Sequence, residues 1–144
     1  MRKLDTYEYV SALKELVTDG KEVSITVCGN SMAPFLKDGR DTVFFKAPDR
    51  ELRMGDIVFF QRGSGDFILH RICKIEGGSY YMLGDGQRIP EGPIAREQIF
   101  ALVTCVQRNG KLLKPGNPVW EFFSRLWVQP SLRSAMLRLY RFFP

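Results

Sequence analysis

With 144 residues, 44% of them hydrophobic and 12% aromatic, the chain can bury one real core without staples, and a single domain is expected. The net charge of +5 comes from basic residues mostly scattered singly among hydrophobics and forming no block, so it specifies neither nucleic acid nor an anionic membrane. Three cysteines (Cys28, Cys73, Cys105) without a C-x-x-C pair, and one histidine, suggest neither a disulfide framework nor a zinc site; reduced thiols, no metal and no cofactor are expected.

The segment Met1 to Glu8 lacks the apolar stretch and cleavage site of a secretion signal, and no run of about 18 uncharged apolar residues offers a membrane span. The expected location is the cytoplasm. Residues 5 to 19 repeat apolar side chains at Tyr9, Val10, Leu13, Leu16 and Val17, which predicts one helix stopped by Asp19-Gly20. From Glu22 the period shortens. Val23 to Val27, Thr42 to Phe45, Asp56 to Phe60, Phe67 to Ile75, Ser79 to Leu83 and Ile99 to Val106 read as six strands, with hairpin turns at Gly63-Ser64-Gly65-Asp66 and Glu76-Gly77-Gly78-Ser79.

After Asn109-Gly110, residues Pro115, Gly116 and Pro118 mark a boundary, beyond which Pro118 to Val128 and Ser131 to Phe143 read as two short helices split by Pro130. Arginines alternate there with large apolar residues. Two placements follow: packed on the β-domain, or lying in a bilayer interface as a peripheral contact. The organisation is an N-terminal helix (1–21), a β-domain (22–114) and a C-terminal amphipathic helical segment (115–144). The fold class is mainly β (α+β), a compact antiparallel β-domain.

The segment Val27-Cys28-Gly29-Asn30-Ser31-Met32-Ala33-Pro34-Phe35-Leu36 ends a strand in a glycine turn that presents a serine. Such a hydroxyl meets a substrate while its own N–H faces a developing oxyanion. By itself the segment equally describes an ordinary turn serine. Downstream lie Met54-Gly55-Asp56-Ile57-Val58-Phe59, Ile68-Leu69-His70-Arg71-Ile72 and Leu83-Gly84-Asp85-Gly86.

This ordered set, over roughly residues 23 to 106, resembles the family uniting type I signal peptidases with the self-cleaving LexA-like repressors. There a G-x-S-M-x-P-x-L motif carries the nucleophilic serine, a G-D-I-V strand follows, a basic residue precedes an arginine, and a G-D loop supports that base. His70-Arg71-Ile72 is similar to the H-R-V segment of the histidine-containing endoplasmic-reticulum and archaeal signal peptidases. The resemblance implies Ser31 as nucleophile, His70 as general base and Asp85 as the acid orienting it, with Glu91 near the position of a second family aspartate as the alternative acid. Independently of the resemblance, a neutral imidazole accepts a serine proton at pH 7 without the desolvation a lysine needs. Asp41 and Asp56 read as structural; against the Gly-Asp usual in the family this sequence resembles, Arg40 between Gly39 and Asp41 is expected to be a one-residue insertion that bulges the strand.

Two departures matter. Where signal peptidases place a serine whose hydroxyl donates to the oxyanion, this sequence has Gly29, which leaves the Ser31 N–H, with Asn30 or another amide of the nucleophile loop through Met32, to serve. No membrane anchor is evident, so the substrate is expected to arrive in the cytoplasm or at the inner membrane face. The leading expectation is a serine endopeptidase that matures a peptide or protein substrate. The alternative is a non-catalytic peptide-binding or regulatory module of the same fold. Nucleic acid is not an expected partner, since residues 1 to 21 are too short for a helix-turn-helix domain.

Overall fold

A computed structural model describes residues 3–129, 133–135 and 138–139, the side chains of residues 3–7 excepted. The predicted N-terminal helix is α1 (Lys3–Thr18), which turns Val10, Leu13 and Val17 into the core. Its end closes through Gly20 N–H to Val17 O and Lys21 N–H to Leu16 O, the paired bonds that a glycine after the last turn permits.

Eight strands follow: β1 (Val23–Thr26), β2 (Asp41–Lys46), β3 (Ile57–Gln61), β4 (Phe67–Glu76), β5 (Ser79–Leu83), β6 (Glu91–Ile94), β7 (Ile99–Arg108) and β8 (Lys111–Leu113). They form one antiparallel sheet in the order β1-β2-β7-β3-β4-β5-β6, with β8 also pairing β7. All six predicted strands are present, and both glycine-rich turns are hairpins, β3–β4 and β4–β5. The sequence reading missed β6 and β8. Asn109-Gly110, which precedes the boundary expected at Pro115 to Pro118, is the turn of the β7–β8 hairpin, with φ of 51° and 78° at its two residues.

β3 is buried on both faces, and its period-2 alternation divides the interior in two. Ile57 and Phe59 join a larger core with Phe35, Phe45 and Val103; Val58 and Phe60 join a smaller one with Ile72, Met82 and Ile99. Arg40 does not bulge a strand. It lies in the turn before β2, where its guanidinium bonds the Asp41 carboxylate, and the irregularity of β2 against β7 falls at Phe44/Phe45.

The segment after β8 packs on the larger core. Asn117 caps α2 (Pro118–Glu121) by accepting from Val119 and Trp120 N–H, and a π-helical turn continues over Phe122–Leu126. Trp120, Phe123 and Trp127 are buried against the ring of Phe35 and one another. Their burial removes these aromatic rings from any bilayer interface; among the described residues of the segment, Val119, Leu126 and Leu139 are the exposed large apolar side chains. Of the second predicted helix, Ser131 to Phe143, most lies outside the described residues. Among the described residues, no helix is long and apolar enough to cross a membrane.

Candidate active site

Between β1 and β2 the chain makes the turn that carries Ser31. Gly29 N–H donates to Asp38 Oδ1 at 2.8 Å at one end, and Leu36 N–H to Met32 O at 2.9 Å closes a helical turn at the other. Phe35 is buried, with two guanidiniums near its ring, Arg71 at 5.3 Å and Arg108 at 5.8 Å from the ring centre. Its carbonyl accepts from Arg40 and Arg108, whose charges also hold the fully buried Asp41. Burial pushes the Asp41 carboxyl up, but the bonds from Arg40, Arg108 and Lys37 N–H outweigh it and keep the group below its ordinary range. Asp56 has an equally structural surrounding, paired with both terminal nitrogens of Arg50 and accepting from Arg53 N–H.

Ser31 is exposed. It borders a cleft of about 560 Å³ that His70 also lines, together with Ile25, Val27, Phe59 and Leu69. Among the described residues no hydrogen bond joins Ser31 to His70, and no acceptor engages the Ser31 N–H. That amide stays available to an oxyanion. The Gly29 N–H does not, because Asp38 already takes it.

The loop Gly84-Asp85-Gly86 sits directly beneath the serine turn. Gly86 N–H donates to Ser31 O at 3.0 Å, and a Cβ on Gly84 would fall 2.3 Å from that same oxygen, which is why glycine occupies the position. Asp85 has a different partner from the one expected. Its two carboxylate oxygens accept from Arg71 Nε and Nη2, each at 2.8 Å, while Arg71 Nη1 reaches Gly55 O. Both side chains are almost wholly buried.

Strand alternation explains why Asp85 does not reach His70. Neighbours on β4 face opposite ways. Arg71 pairs in register with Ile57 and turns to the larger core; His70 pairs with Val58 and turns to the smaller one, 6.2 Å from the ring of Phe60. A carboxylate held by Arg71 is therefore on the wrong face for the histidine. Glu91 is on the right one, since Ile72 pairs with Met82 and Met82 with Glu91. Arg62 holds it, however, at 2.7 and 2.6 Å, and this keeps the Glu91 carboxyl below its ordinary range.

His70 is 4% exposed, and its Nδ1 is buried without a hydrogen-bond partner. Burial lowers its pKa from 6.5 to about 4, with Glu91 pulling it up and Arg62 pushing it down. At pH 7 the ring is neutral and able to accept a proton, but it holds that proton poorly. Among the described residues no group of three or more His, Cys, Asp or Glu is placed to hold a metal ion.

Several residues that shape this site carried no sequence signal: Arg62, and Trp127 and Arg133, whose contacts with the Gly84–Gly86 loop span more than forty residues of chain. Arg71 was visible as the neighbour of His70, and strand alternation alone would have placed it on the opposite face. The architecture is that of an S24-like β-domain, of the LexA and signal-peptidase fold. A family model described as Peptidase S24-like matches residues 2–105, and the chain belongs to that family, whose members are serine peptidases. No curated protein matches the sequence.

Proposed function

We propose that this protein is a serine endopeptidase of the histidine-containing type that removes a leader or pro-segment from a peptide or protein, with Ser31 as nucleophile and His70 as general base. The observation that carries the reading is that an exposed serine with a free N–H and a neutral, buried imidazole border one apolar cleft. The hydroxyl would give its proton to His70 as Oγ attacks the scissile carbonyl, and the Ser31 N–H would face the resulting oxyanion. Serine–base contacts of free enzymes commonly tighten only with substrate bound. A substrate entering as an extended chain has a strand to lie beside, because β1 ends the sheet and Ile25 and Thr26 line the cleft.

In this mechanism Glu91, not Asp85, supplies negative charge to the imidazolium, from the same sheet face. Asp85 supports the serine turn through Arg71 instead. The test is labelling by a fluorophosphonate probe and cleavage of a peptide library read by mass spectrometry. Wild-type protein is expected to react at Ser31 and to cleave; Ser31→Ala and His70→Ala are expected to do neither, and equal turnover in either variant overturns the roles.

A second reading has its own support in the unpartnered His70 Nδ1 and the lack of a side-chain donor at position 29. A peptide-binding module that no longer cleaves would bind an extended peptide in the same cleft with no labelling of Ser31. Encounter with substrate is proposed in the cytoplasm or at the inner membrane face. Among the described residues, Val119, Leu126 and Leu139, with the exposed Arg125, are the side chains of this segment open to a membrane contact, and failure to float with anionic vesicles would exclude it.

A further inference from the structure

The loop under Ser31 is held from behind by the C-terminal segment. Trp127 Nε1–H donates to Asp85 O at 3.0 Å, and Arg133 Nη2 donates to Gly84 O at 2.9 Å and to Asp85 O at 3.2 Å, all buried. Arg71 takes the Asp85 carboxylate from a third side, and Gln87 N–H donates to Gly84 O at 2.8 Å. Every one of these bonds fixes the loop. The loop in turn offers Gly86 N–H to Ser31 O, and its glycines allow a backbone approach that no Cβ would tolerate.

Neither Trp127 nor Arg133 borders the cleft. Packing alone does not account for them: phenylalanine would fill much the same space as Trp127 without an N–H, and a guanidinium as buried as that of Arg133 is retained only where its donors are used. Both aim donors at adjacent carbonyls of one short loop, whose Gly86 N–H is bonded to the serine turn.

We propose that Trp127 and Arg133 are positioning residues for the nucleophile: through the Gly84–Gly86 loop the C-terminal segment sets the height and orientation of the Ser31 turn over the cleft. The chemistry would then depend on a segment that touches no substrate, and a change there would lower turnover without changing substrate affinity. The reactivity part of this inference rests on Ser31 being the nucleophile; the coupling of segment to turn does not.

The experiment uses the full chain carrying Trp127→Phe or Arg133→Met, with Ile99→Val in the smaller core as a variant of comparable packing loss elsewhere. Hydrogen exchange at the Gly86 amide reports the bond to Ser31 O without any reaction, and is expected to quicken about tenfold in the first two variants only, with β3 and β7 amides unchanged. Labelling of Ser31 by a fluorophosphonate is expected to slow about tenfold in the same two, with kcat falling and KM constant. Arg133→Lys, which keeps a buried donor, is expected to recover part of both. Gly86 exchange that stays at the wild-type rate overturns the inference, as does equal labelling of wild type and variants. Faster Gly86 exchange in a protein whose wild type is never labelled overturns the reading of Ser31 and leaves the coupling established.

Discussion

The two halves of the candidate site are built to different standards. Around Ser31 every support is partnered: Asp85 by Arg71, the Asp85 and Gly84 carbonyls by Trp127 and Arg133, the Ser31 carbonyl by Gly86. Around His70 the reverse holds. Its Nδ1 has no partner among the described residues, Glu91 on its face is held by Arg62, and Phe60 beside it belongs to an apolar cluster. In the roles proposed above, the serine is thus positioned at rest, whereas the histidine depends on what the substrate brings or displaces. Orientation of a reacting group is a large source of rate, so a site can afford a loosely tuned base more readily than a misplaced serine.

The sharpest way to break this contrast is Asp85→Asn. If Asp85 serves the serine side, its loss leaves Arg71 charged and uncompensated in the interior and costs about 3–5 kcal/mol in denaturant titration. Labelling of Ser31 should drop with it, while the acid limb of any remaining activity stays in place. A shift of that limb would return Asp85 to the histidine.

The next effect belongs to His70. Below pH 6.5 an unfolded chain protonates its histidine, while the folded protein, with His70 lowered to about 4, does not. Stability linked to this group is therefore complete above pH 6.5 and declines by about 3 kcal/mol as the pH falls to about 4. Thermal melts of wild type against His70→Gln across that window should converge as the pH drops. The acid limb of kcat/KM, for the same reason, is expected near pH 4 and not near 6.5.

Gly84→Ala should cost about 1–3 kcal/mol, because the new Cβ meets the Ser31 carbonyl and the turn must move; slower labelling of Ser31 at an unchanged acid limb would mark it as a serine-side variant. Glu91→Gln should change stability by less than about 1 kcal/mol, since the Arg62 pair is part-exposed. It should move the acid limb to still lower pH, because a negative charge that favours the imidazolium is gone.

Much of this was legible without coordinates. Alternating apolar runs and glycine turns marked α1, six of the eight strands and two hairpins, because local periodicity and turn chemistry specify them within a few residues. The two strands left unmarked are β6, no shorter than β1, and β8. β6 carries Gly92-Pro93 with both residues exposed, and β8 is three residues long, so neither has a pattern to read. Among site residues, the dense motif around Ser31 and the placement of His70 between two motifs were visible in order along the chain.

The sequence by itself determined the fold class and the residue types offered for chemistry, since both follow from local pattern and motif order. Partnership was decided only by the tertiary structure. Which acid faces which base depends on the face of β4 each residue occupies and on cross-strand register, and the hold of Trp127 and Arg133 on the serine turn is a contact between distant parts of the chain. No window of sequence contains either relation, because hydrogen bonds are satisfied in space and not along the backbone.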